Sequence, residues 1–417
     1  MEILQIEGGS PLEGRVVIGG AKNAALPACI ASLLTDEPII LRRVPRLRDV
    51  SMILFTLGTM GKRAVRDDRG VIISSSGRLS HEANAYAVQQ MRASFLVLGP
   101  LIARLGRAVV PLPGGCRLGA RPIDLHLMAL RALGASIEER CGAVHARAER
   151  LRGARIEFPF PSVGATEQVL MAASLAEGET VLENASIEPE VIDLIALLRR
   201  MGAEIEVVER TMRISGRERL GGAEHRLIPD RHEAGTFLLA GAATGGSVTA
   251  VGADASTLGA FLDALRETGA SVESDAESIR VEAAGRPCPV DLVTSPHPGF
   301  PTDLQPQFAA YLSLASGRSH VRETIFESRF AYAEGLCVLG TRVLRDGDTL
   351  SIEGVDTLHG GRVQAPDIRG GAALVIAGLA ARGVTTIGQL VHLDRGYGDL
   401  VQKLEGLGAS IERRTDA

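Results

Sequence analysis

The chain has 417 residues, 45% of them apolar and 23% charged, with a net charge of −5. At roughly 100–200 residues per domain this is enough for two to four domains. The mixture excludes a disordered chain, a coiled coil and a collagen-like fibre, and the negative balance leaves no global cationic field for nucleic acid.

Aromatic residues are only 3% and tryptophan is absent, so the core rests on Leu, Val, Ile and Ala. The start, Met1-Glu2-Ile3-Leu4-Gln5-Ile6, lacks the basic residues and apolar run of a signal peptide. No stretch approaches the ~18 uninterrupted apolar residues of a membrane span. The five cysteines (Cys29, Cys116, Cys141, Cys288, Cys337) are widely spread and form no CxxC pair. That argues against a disulfide framework or a zinc site and for a reducing, cytoplasmic setting.

A short pattern recurs along the chain: an apolar helix end, a Gly, a small residue, then a strand-like alternation. It reads Leu54-Phe-Thr-Leu-Gly58, Leu130-Arg-Ala-Leu-Gly134, Leu198-Arg-Arg-Met-Gly202, Leu265-Arg-Glu-Thr-Gly269, Leu336-Cys-Val-Leu-Gly340 and Leu404-Glu-Gly-Leu-Gly408. The glycines stand 76, 68, 67, 71 and 68 residues apart. Each suits the left-handed residue that stops a helix, and the following Ser-Ile-Glu or Glu-Ile-Glu alternation predicts a strand. Second junctions inside the units fall at Gly178, Gly245 and Gly383, with Leu34-Thr-Asp36-Glu-Pro in that role in the first unit. Each unit then holds about two helices and three or more strands. Six units exceed one core, since cores stop growing beyond ~250–300 residues. Two domains of three units each are expected, dividing near Leu227-Ile-Pro-Asp-Arg231, with a cleft between the halves as the default ligand site.

Common chemical motifs are missing: there is no P-loop, no GxGxxG after a strand, no HExxH and no GxSxG. What remains is a set of polar residues on Gly/Pro loops. Gly19-Gly20-Ala21-Lys22-Asn23 precedes an apolar helix expected over 24–34. A cation at a helix N-terminus suits a bound anion; otherwise Lys22 is a surface lysine beside an Asn23 cap. Pro111-Leu-Pro-Gly-Gly-Cys116-Arg117-Leu-Gly-Ala-Arg121-Pro122-Ile-Asp124 is a loop in which flanking arginines lower the thiol pKa of Cys116. Cys29, on an apolar helix face, reads as inert packing. Asp124 reads as a cap for a helix over 125–133. Ser162-Val163-Gly164-Ala165-Thr166 stands before a helix over 167–176 and suits either a phosphate or a plain cap. Pro296-His-Pro-Gly-Phe-Pro-Thr302-Asp303 leads into another helix, where Asp303 is a cap or a positioned base. Arg92, Arg329, Asp367-Ile-Arg369 and Asp394-Arg395-Gly396-Tyr397 are scattered along the chain. Equivalent turns of repeated units would bring such arginines together on a strongly anionic small substrate.

These segments resemble the enolpyruvyl transferases of cell-wall synthesis from end to end. The resemblance lies in Gly20-Ala-Lys-Asn-Ala-Ala-Leu-Pro27, Val44-Pro-Arg-Leu-Arg-Asp-Val50, Met91-Arg-Ala-Ser94, Pro113-Gly-Gly-Cys-Arg-Leu-Gly-Ala-Arg-Pro-Ile-Asp-Leu-His126, Ser162-Val-Gly-Ala-Thr166, Pro229-Asp-Arg231, Phe300-Pro-Thr-Asp-Leu-Gln305, Arg329-Phe330 and Asp394-Arg-Gly-Tyr397. The Cys loop and the Lys-Asn motif are specific to that branch, and the shikimate-pathway enzyme is a more distant relative.

The resemblance implies an α/β fold, a two-domain inside-out α/β barrel with three βαβαββ repeats in each domain. One domain is expected over 22–229. The other combines 1–21 with 230–417, and the active site lies in the cleft between them. The implied reaction joins the 3′-hydroxyl of UDP-N-acetylglucosamine to C2 of phosphoenolpyruvate and releases phosphate, with no cofactor, metal, membrane or obligate protein partner. By the same resemblance Lys22, Arg92, Arg121, Arg329, Arg369 and Arg395 bind phosphoenolpyruvate. Cys116 handles protons at C3 and can form a covalent adduct, Asp303 is the base at the 3′-hydroxyl, and Asp367 assists closure and proton transfer. Lys22 and Arg395 also count as catalytic. Asn23, Arg92, Arg121, Pro122, Asp124, Leu125, Ser162, Val163, Gly164, Asp303 and Ile325 hold the UDP-sugar. The sequence departs from the family pattern at Ser328, Val338, Leu339 and Thr341, at Arg43 in place of a common Asn, and at Phe160 in place of a phosphate-binding Lys. These departures leave a paralogue acting on UMP or a related uridine nucleotide as the alternative, and a non-catalytic nucleotide-sugar sensor as a third reading.

Overall fold

The computed structural model of the chain describes residues 2–114, 123–283 and 285–415. Its helix-to-strand turns follow the glycines. Gly134, Gly202, Gly269, Gly340 and Gly408 have φ between 91° and 103°, a region that a Cβ disfavours. The first repeat is offset from the expected register. Gly58 lies inside the helix Arg48–Thr59, and the left-handed stop is Gly61, with φ 94°. The helix runs on because Leu57 and Met60, three residues apart, are both fully buried; stopping at Gly58 would take Met60 off the core. Gly178, Gly245 and Gly383 are left-handed as well.

The chain divides into two compact units. One comprises residues 20–228, the other residues up to Gly19 together with Pro229 onward. Each has its own hydrophobic core.

In the 20–228 unit the sheets run Ala223–Arg226, Ile39–Arg42, Gly70–Ser75, Lys62–Asp67, then Glu204–Val208, Thr211–Ser215, Glu179–Glu183, Arg155–Glu157, then Arg107–Pro111, Ala143–Arg147, Ser136–Arg140. The second unit repeats the plan with Arg362–Gln364, Gly383–Gly388, Glu2–Gly8, Ser410–Thr415, with Ser271–Ser274, Ser278–Glu282, Ser247–Val251, Glu13–Val17, and with Leu292–Val293, Arg318–Arg322, Thr349–Glu353, Arg342–Asp346. Every four-stranded sheet has one parallel pair and two antiparallel pairs. In the three-stranded sheet the parallel neighbour shrinks to a single bridge between Glu82 and Val109.

Helices alternate in character. Arg48–Thr59, Pro189–Arg200 and Gly259–Glu267 each bury one face and leave the other in solvent. Lys22–Ala31, Val163–Ala173, Arg231–Ala243, Gln305–Leu312 and Ile368–Ala380 are apolar nearly all round and almost wholly buried, as a helix enclosed by sheets must be. In the second unit Arg231–Ala243, Gln305–Leu312 and Ile368–Ala380 pack pairwise against one another, with sheets that alternate buried and half-exposed residues around them. The helices expected over 24–34, 125–133 and 167–176 begin earlier, at Lys22, Asp124 and Val163. Each start is set by the residue before it leaving the helical region of backbone space (Ala21, Ile123 and Ser162), not by the first large apolar side chain.

No helix of the described residues is long and apolar enough to cross a membrane. Cys29 is buried at 0% exposure, and burial pushes its thiol up to about 12, so it packs rather than reacts. Cys141, Cys288 and Cys337 are exposed free thiols.

Candidate active site

The second unit gathers its charged residues at the N-terminal ends of the three central helices. Asp230 caps Arg231–Ala243 by accepting from the His232 and Glu233 amides at 2.9 and 3.0 Å. Asp367 caps Ile368–Ala380 by accepting from Arg369 and Gly370 at 2.9 and 3.0 Å, both on Oδ1. The third helix is entered through the 3-10 turn Thr302–Leu304.

Asp303, in that turn, is not a cap. Its Oδ1 lies 2.7 Å from Arg329 Nη2. Its Oδ2 accepts from Arg369 Nη2 at 2.9 Å and Nε at 3.2 Å. Both arginines are buried, at 3% and 4% exposure. Burial raises the Asp303 pKa, but Arg369, then Arg329 and the nearby His232, outweigh it and hold the carboxyl well below the usual carboxylate range.

Arg369 Nη1 donates to the Tyr397 hydroxyl at 3.2 Å, which also accepts from Gln307 Nε2 at 3.2 Å and shares a 2.9 Å bond with Thr236 Oγ1. Arg329 Nη1 donates to Thr302 Oγ1 at 2.7 Å, and its buried Nε–H has no hydrogen-bond partner among the described residues. A buried guanidinium donor of that kind is what an anionic ligand would satisfy. Arg395, half-buried, follows the short helix Val391–Asp394 two residues before Tyr397. The half-buried Ile325 has its amide fixed by the Glu323 carboxylate at 2.8 Å.

The first unit supplies a second group. Lys22 opens the helix Lys22–Ala31 and is neither exposed nor beside an Asn cap. It is 7% exposed, its ammonium is 2.7 Å from Asp49 Oδ2, and the capping position is Ala21. Gly20 allows the chain to approach here: a Cβ on it would sit 1.7 Å from the Arg43 carbonyl oxygen. Asn23 is half-buried in the first turn of the same helix. This helix packs on the turn Arg92–Val97, which starts with Arg92.

Asp124 is the exposed first residue of Asp124–Ala132 and makes no side-chain cap. It lines a hollow of about 590 Å³ with Leu125, Met128, Arg131 and Glu139. Ser162 does cap its helix, weakly, accepting from the Ala165 amide at 3.4 Å. The helix it starts packs on Asp124–Ala132, and a Cβ on Gly164 would meet the His126 ring at 3.1 Å. Gly164 thus meets His126, whose imidazole also feels the Arg92 and Asp124 charges; Leu125 is its chain neighbour, and Ser162 and Val163 directly precede Gly164. Cys116, Arg121 and Pro122 lie outside the described residues. Among the described residues no three His, Cys, Asp or Glu side chains are grouped to hold a metal ion.

His126 carries a test of this packing. Burial first, and the Arg92 charge second, push its imidazole down to about 4. The unfolded chain, near 6.5, takes up a proton first. The stability contribution is therefore fully present above about pH 6.5 and is lost as pH falls from there toward 4, about 3 kcal/mol in all. Urea midpoints measured between pH 7 and 4 should fall more steeply for the native protein than for His126→Gln; equal slopes would contradict the assignment.

Sequence reasoning missed Asp49, His126, Thr236, Thr302, Gln307 and Glu323 as parts of the site. Asp49, His126 and Thr302 lay inside quoted motifs. The others carry no local signal, because their partners are distant in sequence.

Paired units of three strand–helix–hairpin repeats, with a carboxylate set between two buried arginines, define a transferase of the enolpyruvyl type. A family profile described as EPSP synthase (3-phosphoshikimate 1-carboxyvinyltransferase) matches residues 6–404, and the chain belongs to that family. It is 50% identical over 426 aligned positions to a UDP-N-acetylglucosamine 1-carboxyvinyltransferase of Xanthobacter autotrophicus, covering 99% of both chains. A protein of the same name from Azorhizobium caulinodans matches equally, at 50% and 99% of each chain. Among solved structures, the enolpyruvyl transferase NikO from Streptomyces tendae superposes with a TM-score of 0.91 at 27% identity, over 100% of this chain and 99% of that one. An EPSP synthase from Acinetobacter baumannii shares the fold, with a TM-score of 0.77 at 19% identity over the full length of both chains.

Proposed function

We propose that the chain transfers the enolpyruvyl group of phosphoenolpyruvate to the 3′-hydroxyl of UDP-N-acetylglucosamine and releases phosphate. This is the committed step of peptidoglycan precursor synthesis, and it places the protein in the cytoplasm in the service of cell-wall growth, cell shape and division. The observation that carries the reading is 50% identity over 99% of the chain to two proteins of that named activity. The Asp303–Arg329–Arg369 cluster is its chemical counterpart.

Phosphoenolpyruvate brings a phosphate and a carboxylate, which need fixed cations: Lys22, Arg92, Arg121, Arg329, Arg369 and Arg395 in this reading. Asp303 takes the proton of the 3′-hydroxyl as its oxygen bonds to C2, while C3 gains a proton with Cys116 as donor. The tetrahedral adduct then expels phosphate from C2 and loses a C3 proton, restoring the double bond. Preorganised guanidinium groups in a water-poor site stabilise the anionic adduct. Asn23, Pro122, Asp124, Leu125, Ser162, Val163, Gly164 and Ile325 hold the nucleotide sugar. Asp367, at the helix end it caps, assists closure and proton transfer.

Two of the departures from the family pattern, Leu339 and Thr341, are buried and belong to packing, and a third, Val338, faces solvent at the end of the helix Tyr332–Val338. Ser328 alone is next to a site arginine. Arg43, where Asn is common, has φ 58°, a conformation that favours Asn. The sugar nucleotide is preferred over UMP as acceptor on the 50% identity to two proteins of that named activity.

Purified protein with phosphoenolpyruvate and UDP-N-acetylglucosamine should release phosphate and yield an acceptor heavier by one enolpyruvyl group. Its kcat/KM should exceed that with UMP by ~10² or more. Turnover with UMP alone would establish the paralogue, and no release with either would end the reading. Cys116→Ala that binds the sugar nucleotide but loses turnover excludes a mere sensor.

A further inference from the structure

Glu323 directly follows the strand Arg318–Arg322 and is 1% exposed. Buried carboxylates persist only when their lone pairs are satisfied, and this one is fully engaged. Its Oε1 accepts from Thr294 Oγ1 at 2.8 Å, from the Ile325 amide at 2.8 Å and from the Phe326 amide at 3.1 Å. Its Oε2 accepts from Thr302 Oγ1 at 2.8 Å.

The Thr302 hydroxyl has one proton, given to Glu323, so its lone pairs face Arg329 Nη1 at 2.7 Å. The direction of that hydroxyl is therefore fixed by a negative charge behind it. The same carboxylate anchors the Phe326 backbone, and the Phe326 ring lies 5.0 Å under the Arg329 guanidinium. Two of the restraints on Arg329, the hydroxyl at its edge and the ring at its face, thus trace back to one buried acid. The third is Asp303, the neighbour of Thr302 in the same turn.

We infer that Glu323 is a positioning residue that aims Arg329, through Thr302 and Phe326, for the phosphoenolpyruvate anion. This rests on the function proposed above. Glu323 touches no substrate in this scheme. It holds Arg329 so that the unpartnered Nε–H keeps its direction, a pre-organisation that costs nothing at the moment of binding.

The decisive variants are Glu323→Gln, Thr302→Val, Thr302→Ser and the double variant Glu323→Gln/Thr302→Val. Glutamine keeps the volume, and its carbonyl oxygen can still accept from the two amides, but its NH₂ cannot accept from Thr302. Valine deletes the hydroxyl and leaves the Glu323–amide bonds in place. Two readouts are used: KM for phosphoenolpyruvate in phosphate release with UDP-N-acetylglucosamine, and the phosphoenolpyruvate concentration giving half the maximal thermal shift.

Glu323→Gln and Thr302→Val should each raise both values by ~10-fold, with KM for the sugar nucleotide within about twofold of native. Thr302→Ser should restore them, and the double variant should be no worse than the worse single one, since both cut the same relay. A Thr302→Val protein with native values in both readouts, or effects that multiply in the double variant, overturns the inference while leaving the proposed function intact. If the native protein responds to phosphoenolpyruvate but does not turn over, the acceptor is wrong and the thermal readout decides the inference. If it takes no phosphoenolpyruvate by either measure, both fall.

Discussion

Replacing Asp303 should cost turnover and stability together, and the two losses should separate with pH. Asp303→Asn keeps the shape but removes the charge that Arg329 and Arg369 share at 2.7 and 2.9 Å. Two buried guanidinium groups then face each other without their counter-ion, a change expected to cost about 2–4 kcal/mol. Because the native carboxyl is held well below the usual range, its contribution is fully present above the unfolded value near 3.9. It is lost as pH falls below that value through the folded one. Unfolding free energies of native and Asp303→Asn proteins should therefore differ by a constant amount from pH 5 to 8 and converge below pH 4. A gap that persists under acid would show that the charge is not its origin.

The catalytic loss should be ~10²–10⁴ in kcat, the usual size for a missing base. A carboxylate so strongly paired is a poor base at rest. Binding of an anionic substrate to the same arginines draws positive charge off Asp303 and raises its proton affinity when it is needed. Added inorganic phosphate should then stabilise Asp303→Asn more than the native protein, since phosphate can replace the lost carboxylate between Arg329 and Arg369. Equal stabilisation would mean that phosphate does not reach them.

How far the sequence spoke for itself depended on how local each signal was. The repeat was readable because a left-handed glycine after an apolar helix end is decided by a few neighbouring residues. It misled only at Leu57-Gly-Thr-Met-Gly61, where two glycines compete and the burial of Met60 chooses the second. Lys22 was legible as an oddity, a cation at a helix start, but Asp49, which pairs with it, sits in another helix. Asp303 left two readings open, cap or base, because its arginines stand 26 and 66 residues further along. Glu323 had no signal at all. One acid at a strand end looks like any solvated carboxylate until the pairing of Leu292–Val293 with Arg318–Arg322 brings Thr294 beside it.

Lys22 offers the other large effect, because its roles in stability and in chemistry can be pulled apart. The ammonium and the Asp49 carboxylate are 2.7 Å apart with side chains 9% and 5% exposed. Lys22→Ala strips that ammonium from a buried carboxylate and should destabilise the protein by about 3–5 kcal/mol, whereas removing both charges should cost less than the sum of the two single changes. Thermal or urea unfolding of Lys22→Met, Asp49→Asn and the double variant measures this directly; additive losses would mean that the pair contributes nothing as a pair.

Activity should follow a different rule. If Lys22 binds the phosphoenolpyruvate anion, every variant lacking the ammonium should lose ~10²-fold or more in kcat/KM for phosphoenolpyruvate, including the double variant whose fold has been repaired. Asp49→Asn, which keeps the lysine, should retain most of it. Lys22→Arg keeps the charge but presents a wider, planar head in a pocket fitted to a compact one, so it should fall between. A double variant that recovered turnover along with stability would reduce Lys22 to a structural ion pair and take the strongest cation of the first unit out of the mechanism.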